Sequence, residues 1–122
     1  MTPILEIKFT CLAQGGQVSS TNDLNLFAQA MSNNELLSAT TYTLMRQTHS
    51  ILDGVKYGYG TGGPMYLGHG GSLDGFQTLM EIDILRKIGI LILTNGGCAT
   101  RVTLDQIRRL IWQFYGYKLS EL

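Results

Sequence analysis

GHGGSLDGFQTLMEIDILRKIGILILTNGG, residues 68–97, decides the fold. From 76 to 84 the side chains alternate: Phe76, Thr78, Met80, Ile82 and Ile84 share one face of a strand, opposite Gln77, Leu79, Glu81 and Asp83. LRKIG at 85–89 turns the chain, and residues 90–94 are continuously apolar up to Thr94, the pattern of an interior strand. With so few residues between them the two strands form an antiparallel hairpin, because a parallel return needs a much longer crossover. Asn95-Gly96-Gly97 ends the second strand. Before the first, glycines at 68, 70, 71 and 75 surround His69, and SLDG at 72–75 is a turn signature centred on Asp74.

Working outward, VKYGYGTGGPMYLGHGG at 55–71 alternates aromatic residues with glycine and reads as strands with close backbone approaches. Tyr57, Tyr59 and Tyr66 either line a cleft or are partly buried core aromatics whose hydroxyls reach water. Downstream, a helix over 101–115 offers Leu104, Ile107, Leu110, Ile111 and Phe114 as its apolar side, with Arg101, Arg108 and Arg109 facing water. Thr103 to Gln106 also fits a capping box, which would start that helix a turn later.

Toward the amino terminus, Ser20 to Asp23 fits a capping box, and behind it Leu24, Phe27, Ala28 and Met31 mark the apolar side of a helix over 21–32. A second helix runs from Ser38 to about Gln47 and offers Leu44 and Met45 to the core, although Thr40, Thr41 and Thr43 weaken it. AQGGQVS at 13–19 is a glycine turn, and residues 2–12 are either a short strand around ILEIKF or a lead-in.

The expected architecture is α+β: a partial antiparallel sheet, formed by a carboxy-terminal meander, flanked by helices. Residues 1–122 make a single domain, with a helical section over 13–54 and strands and a terminal helix over 55–122. A globular chain of this length buries roughly 65% of its extended surface.

Nine basic and nine acidic residues give a formal net charge of zero, and the basic side chains Arg101, Arg108, Arg109 and Lys118 are not interleaved with surface aromatics. Nucleic-acid binding is disfavoured. The longest apolar run, IGILIL at 88–93, is too short to span a bilayer. With no evident secretory leader, the expected compartment is cytoplasmic, or periplasmic or extracellular if the chain belongs to a longer precursor. Cys11 and Cys98 form no disulfide framework, and Cys98 reads as a small buried hydrophobe. With His49, at a helix end, and His69 they lack metal-ligand spacing. Asn95-Gly96-Gly97 lacks the rest of a phosphate-binding pattern.

GHGGSLDGF at 68–76 followed by GILILTNGG at 89–97, with GGQVSSTNDLNLFAQAM at 15–31 and KYGYG at 56–60 upstream, resembles the carboxy-terminal part of the serine beta-lactamase, penicillin-binding protein and esterase superfamily, especially its class C-like members. The likeness covers residues 13–115 and rests on the order of the blocks. It implies acyl transfer on a beta-lactam, peptide or ester, without a cofactor. That family uses a Ser-x-x-Lys motif for the nucleophile, a Tyr-x-Asn or Ser-x-Asn motif for proton transfer, and a Lys-Thr-Gly or His-x-Gly motif on a strand lining the cleft.

His69-Gly70-Gly71 matches only the third. The resemblance implies that His69 shapes the field around the acylation machinery or a substrate carboxylate, and that the backbone N–H of Ser72 forms half of an oxyanion hole. Gly70 and Gly71 would let substrate approach, with Tyr59 also in the cleft.

No Ser-x-x-Lys or Tyr-x-Asn occurs, and the Ser-x-Asn at Ser32-Asn33-Asn34 lies on the wrong side of the GGQVSST block. A serine without an adjacent base is a poor nucleophile. The family completes its five-stranded sheet with amino-terminal strands, and only the carboxy-terminal share is present here. An incomplete beta-lactamase-like fold is therefore expected, inactive alone, paired with a second copy or with a complementary chain that bears the nucleophile. The alternative is a non-catalytic domain that self-associates or binds a partner.

Overall fold

The structure, a computed structural model, describes residues 15–62, 66–73, 75–96 and 100–118. The strand around ILEIKF, Cys11, Cys98, Asp74 and the side chain of Arg101 lie outside the described residues.

Among the described residues eight elements follow one another: α1 (Thr21–Ser32), α2 (Ala39–Arg46), β1 (Ser50–Leu52), β2 (Val55–Tyr57), β3 (Leu67–Leu73), β4 (Phe76–Asp83), β5 (Ile88–Thr94) and α3 (Thr100–Phe114). This is α+β, with a partial antiparallel sheet in the order β3-β4-β5 flanked by helices and a separate two-stranded hairpin, β1-β2. In the meander Leu73 pairs with Phe76 and Asp83 with Ile88. Gly75, at φ +84, completes the first turn. The second is held by Asp83, whose Oδ1 accepts from the backbone N–H groups of Leu85 and Arg86 at 2.9 and 3.0 Å.

Ser20 caps α1 by accepting from the Asp23 N–H at 3.1 Å. The return bond differs from a full capping box: the Asp23 carboxylate accepts from the Ser20 hydroxyl. Ala28 and Met31 carry the buried side of α1 as its periodicity requires, whereas Phe27 is exposed. In α2, Met45 packs on the core as expected, but Leu44 is exposed and Tyr42, 1% exposed, is the deep residue. The hairpin β1-β2 falls across the boundary drawn at 54/55. Its Asp53-Gly54 turn has φ of +49 and +80, the left-handed pair that an Asp-Gly hairpin adopts.

Register places hydrophobic side chains on both faces of the sheet. Leu67, Met80, Ile82 and, in the turn after β4, Ile84 join Ala28, Met31, Tyr42 and Met45 beneath α1 and α2. Leu79, Ile88, Ile90 and Ile92 face the other way, against Ile111, Trp112 and Tyr117. The unbroken apolarity of β5 therefore reflects two covered faces. It does not mark a central strand, since β4 is its only strand neighbour among the described residues.

The terminal helix corrects the expected orientation. Arg108 does not face water: it is 8% exposed and, with Trp112 at 0%, lies against the sheet, while Ile107, Leu110 and Phe114 are exposed. The cause is Glu81, buried on the α3 side of β4 and in need of donors. Arg108 Nε donates to its two oxygens at 2.7 and 2.8 Å, and Trp112 Nε1 donates to one of them at 2.7 Å. The Thr103–Gln106 capping box lies inside the helix, a turn past its start.

Candidate functional site

His69, Gly70, Gly71 and Ser72 all lie in β3, each paired with a residue of β4: Met80, Leu79, Thr78 and Gln77 in turn. Beside the first part of this strand, on the side away from β4, lies Thr61. Its buried hydroxyl accepts from the Gly68 N–H at 2.7 Å and donates to the Gly68 carbonyl at 3.2 Å, and the Gly62 N–H donates to the same carbonyl at 3.0 Å. Gly68 therefore turns both backbone groups away from β4. Strand alternation then directs the backbone groups of Gly70 and Ser72 to the same side, where no strand pairs with β3 among the described residues.

The glycines have different duties. A Cβ on Gly68 would sit 2.1 Å from the Met80 carbonyl oxygen, so packing alone requires glycine there. A Cβ on Gly71 would meet the Thr78 hydroxyl at 2.5 Å. At Gly70 the nearest atom would be 3.6 Å away, an ordinary contact, so nothing among the described residues demands glycine at that position.

His69 and Ser72, three residues apart on a strand, project to opposite faces. The imidazole lies edge-on to Tyr57, with ring centroids 6.0 Å apart and planes at 86°. Its Nδ1 donates to the Gly70 carbonyl, which leaves the lone pair of the neutral ring on Nε2. Ser72 is on the α3 side, where Gly70, Gly71, Gln77 and Leu79 floor a cleft of about 480 Å³ walled by Tyr66, Glu81, Leu104, Asp105 and Arg108. A Ser72–His69 dyad is excluded by this alternation, and the only direction the two residues share is the open edge of β3.

Tyr59 does not line this cleft. It stacks on His49, with ring centroids 3.7 Å apart, and His49 Nε2 donates to the Leu44 carbonyl at 3.0 Å. Tyr57 and Tyr66 are the tyrosines beside β3. Tyr66 receives a hydrogen bond from Arg108 Nη2 and stacks near Trp112, at 6.0 Å and 15°. Burial raises the pKa of the Tyr66 phenol above its usual value, and the nearby Glu81 carboxylate adds to this. Burial works to lower the pKa of Arg108, but the hydrogen bond and charge of Glu81 outweigh it, so the guanidinium stays charged.

The arrangement offers outward backbone donors, an imidazole acceptor on one flank and a neutralised ionic wall on the other. It holds no serine paired with a base. Sequence reading missed Thr61 and Arg108; a buried threonine hydroxyl bonded to a strand seven residues away leaves no local pattern. Among the described residues no cluster of His, Cys, Asp and Glu is suited to a metal ion, and no helix is long and apolar enough to cross a membrane. The chain matches no known family, curated protein or solved structure.

Proposed function

We propose that this chain is the carboxy-terminal share of a beta-lactamase-like serine hydrolase, inactive alone, whose β3 edge supplies oxyanion donors to a nucleophile carried by another chain. The observation that carries this reading is the outward direction of the Ser72 N–H on an edge where Gly70 presents no side chain although its described neighbours do not require a glycine there. An acyl-transfer site needs such donors about 3 Å from the oxygen that gains charge. His69 Nε2, beside the same edge, would act on a substrate carboxylate in its protonated state or orient a proton-transfer group in its neutral one. The substrate class is a beta-lactam, peptide or ester.

The isolated chain is expected to remain unlabelled by a fluorescent penicillin and by a fluorophosphonate probe. Co-expressed with the product of an adjacent reading frame that contains Ser-x-x-Lys and Tyr-x-Asn, it should bring the penicillin label onto that product, and Gly70→Val should remove the label. A labelled serine in the isolated chain would overturn the reading, as would labelling of the partner that is indifferent to Gly70→Val.

A second reading, a non-catalytic domain that self-associates or binds a partner, is favoured by the exposed apolar residues of α3.

A further inference from the structure

We infer that Asn95 is a site of spontaneous covalent modification: its side-chain amide cyclises onto the Gly96 nitrogen and leaves aspartate or isoaspartate at the end of β5. The inference does not depend on acyl transfer at the β3 edge. Asn95 and Gly96 are both exposed, in the segment just past Thr94 and outside any helix or strand. Glycine has no Cβ to keep its nitrogen from the preceding side-chain carbonyl carbon. The Gly96 N–H donates to the Thr94 hydroxyl at 2.9 Å, an exposed contact that leaves its proton within reach of solvent hydroxide.

The other asparagines of the chain, Asn22, Asn25, Asn33 and Asn34, lack this combination. Asn22 and Asn25 lie within α1, where helical dihedrals hold each side chain away from the nitrogen that follows it. After the helix, those nitrogens are tied to main-chain carbonyls. The Asn34 N–H donates to the Met31 oxygen at 3.1 Å, and the Glu35 N–H to the Ala30 oxygen at 2.9 Å. None of the four precedes a glycine.

The reaction needs only water. Hydroxide takes the Gly96 amide proton, the nitrogen bonds to Asn95 Cγ, and the Cγ–Nδ2 bond breaks to release ammonia, which takes a proton from water. Water then opens the imide ring. Cleavage of the new bond gives aspartate; cleavage of the original peptide bond gives isoaspartate, with one more methylene in the main chain. Either way an amide becomes a carboxylate, which adds one negative charge to a chain of formal net charge zero. Thr94 and Asn95 border a cavity of about 450 Å³ between residues 16–19 and the Phe76, Thr78 and Leu93 side of the sheet, and none of its lining residues is charged. Modification therefore gives a neutral cavity an anionic rim.

The full chain, held at about pH 8 and about 37 °C, should gain about 1 Da, faster as the pH rises. Peptide mapping should place that gain on Asn95 before any other asparagine, and isoaspartate methyltransferase should label the same peptide. The Asp-Gly pairs at 53–54 and 74–75 can form the same ring but return to an unchanged mass, so the mass gain separates them from Asn95. Gly96→Ala should slow the gain at least about tenfold, and Asn95→Gln should abolish it, with circular dichroism spectra like the parent's. Unfolding in guanidinium should change the Asn95 rate by less than about threefold, because the fold already leaves this segment open. An unmodified Asn95 overturns the inference, as does a gain that appears first on another asparagine. A rate indifferent to Gly96→Ala, or one that rises more than about tenfold on unfolding, overturns it as well.

Discussion

Gly68 and Gly70 are two residues apart, identical in sequence and opposite in consequence. At Gly68 the obstacle to a side chain is backbone of β4, which cannot swing aside, whereas at Gly70 a Cβ would make only an ordinary contact. Gly68→Ala should therefore cost about 3 kcal/mol or more through overpacking against a rigid neighbour. Gly70→Ala should change stability by less than about 1 kcal/mol, of either sign. Urea unfolding midpoints of the two variants check this, and equal losses would show that both glycines serve packing alone. The sequence shows that glycine is concentrated at 68–71, but sorting the glycines needs the distance to the paired strand. The same limit hides Thr61, whose value lies in a hydroxyl placed against Gly68.

Among elements, α3 departs furthest from its apparent pattern. Counting apolar residues alone predicts Leu104, Ile107, Leu110, Ile111 and Phe114 inward, and the helix is rotated so that Arg108 and Trp112 reach Glu81 instead. A buried carboxylate without donors would cost more than three exposed hydrophobic side chains. Arg108→Met should thus destabilise by about 3–5 kcal/mol, chiefly by stranding Glu81, and adding Glu81→Leu should recover a large part of that loss. A double-mutant cycle in urea measures the coupling, and strictly additive losses would mean that Glu81 does not set the rotation. Helix α1 was legible because its cap and its apolar spacing agree. The β1-β2 hairpin carried a readable signal as well, Asp53-Gly54 between two short apolar segments, but the preceding helical pattern obscured it.

At the scale of the whole molecule, the meander is a sheet covered on both faces, and Tyr117 and Asp83 join the segment after α3 to the end of β4. The Tyr117 hydroxyl donates to Asp83, and burial together with that bond pushes its pKa up to about 12 from 10.0. The folded state therefore keeps this proton where the unfolded chain has lost it. The associated stability is fully present below about pH 10 and declines as the pH rises toward about 12. Denaturant unfolding between pH 8 and 12 should show this fall, and Tyr117→Phe should make it shallower, with the remainder reporting the raised pKa of Tyr66. An unchanged slope in the variant would remove Tyr117 as its source. The sequence by itself determined the antiparallel meander, the first helix and the α+β class, because alternation, capping and turn chemistry act between residues near in the chain. Only the tertiary structure decided which side of α3 is inward and which glycine leaves room at the edge, because each depends on groups that folding brings together from distant positions.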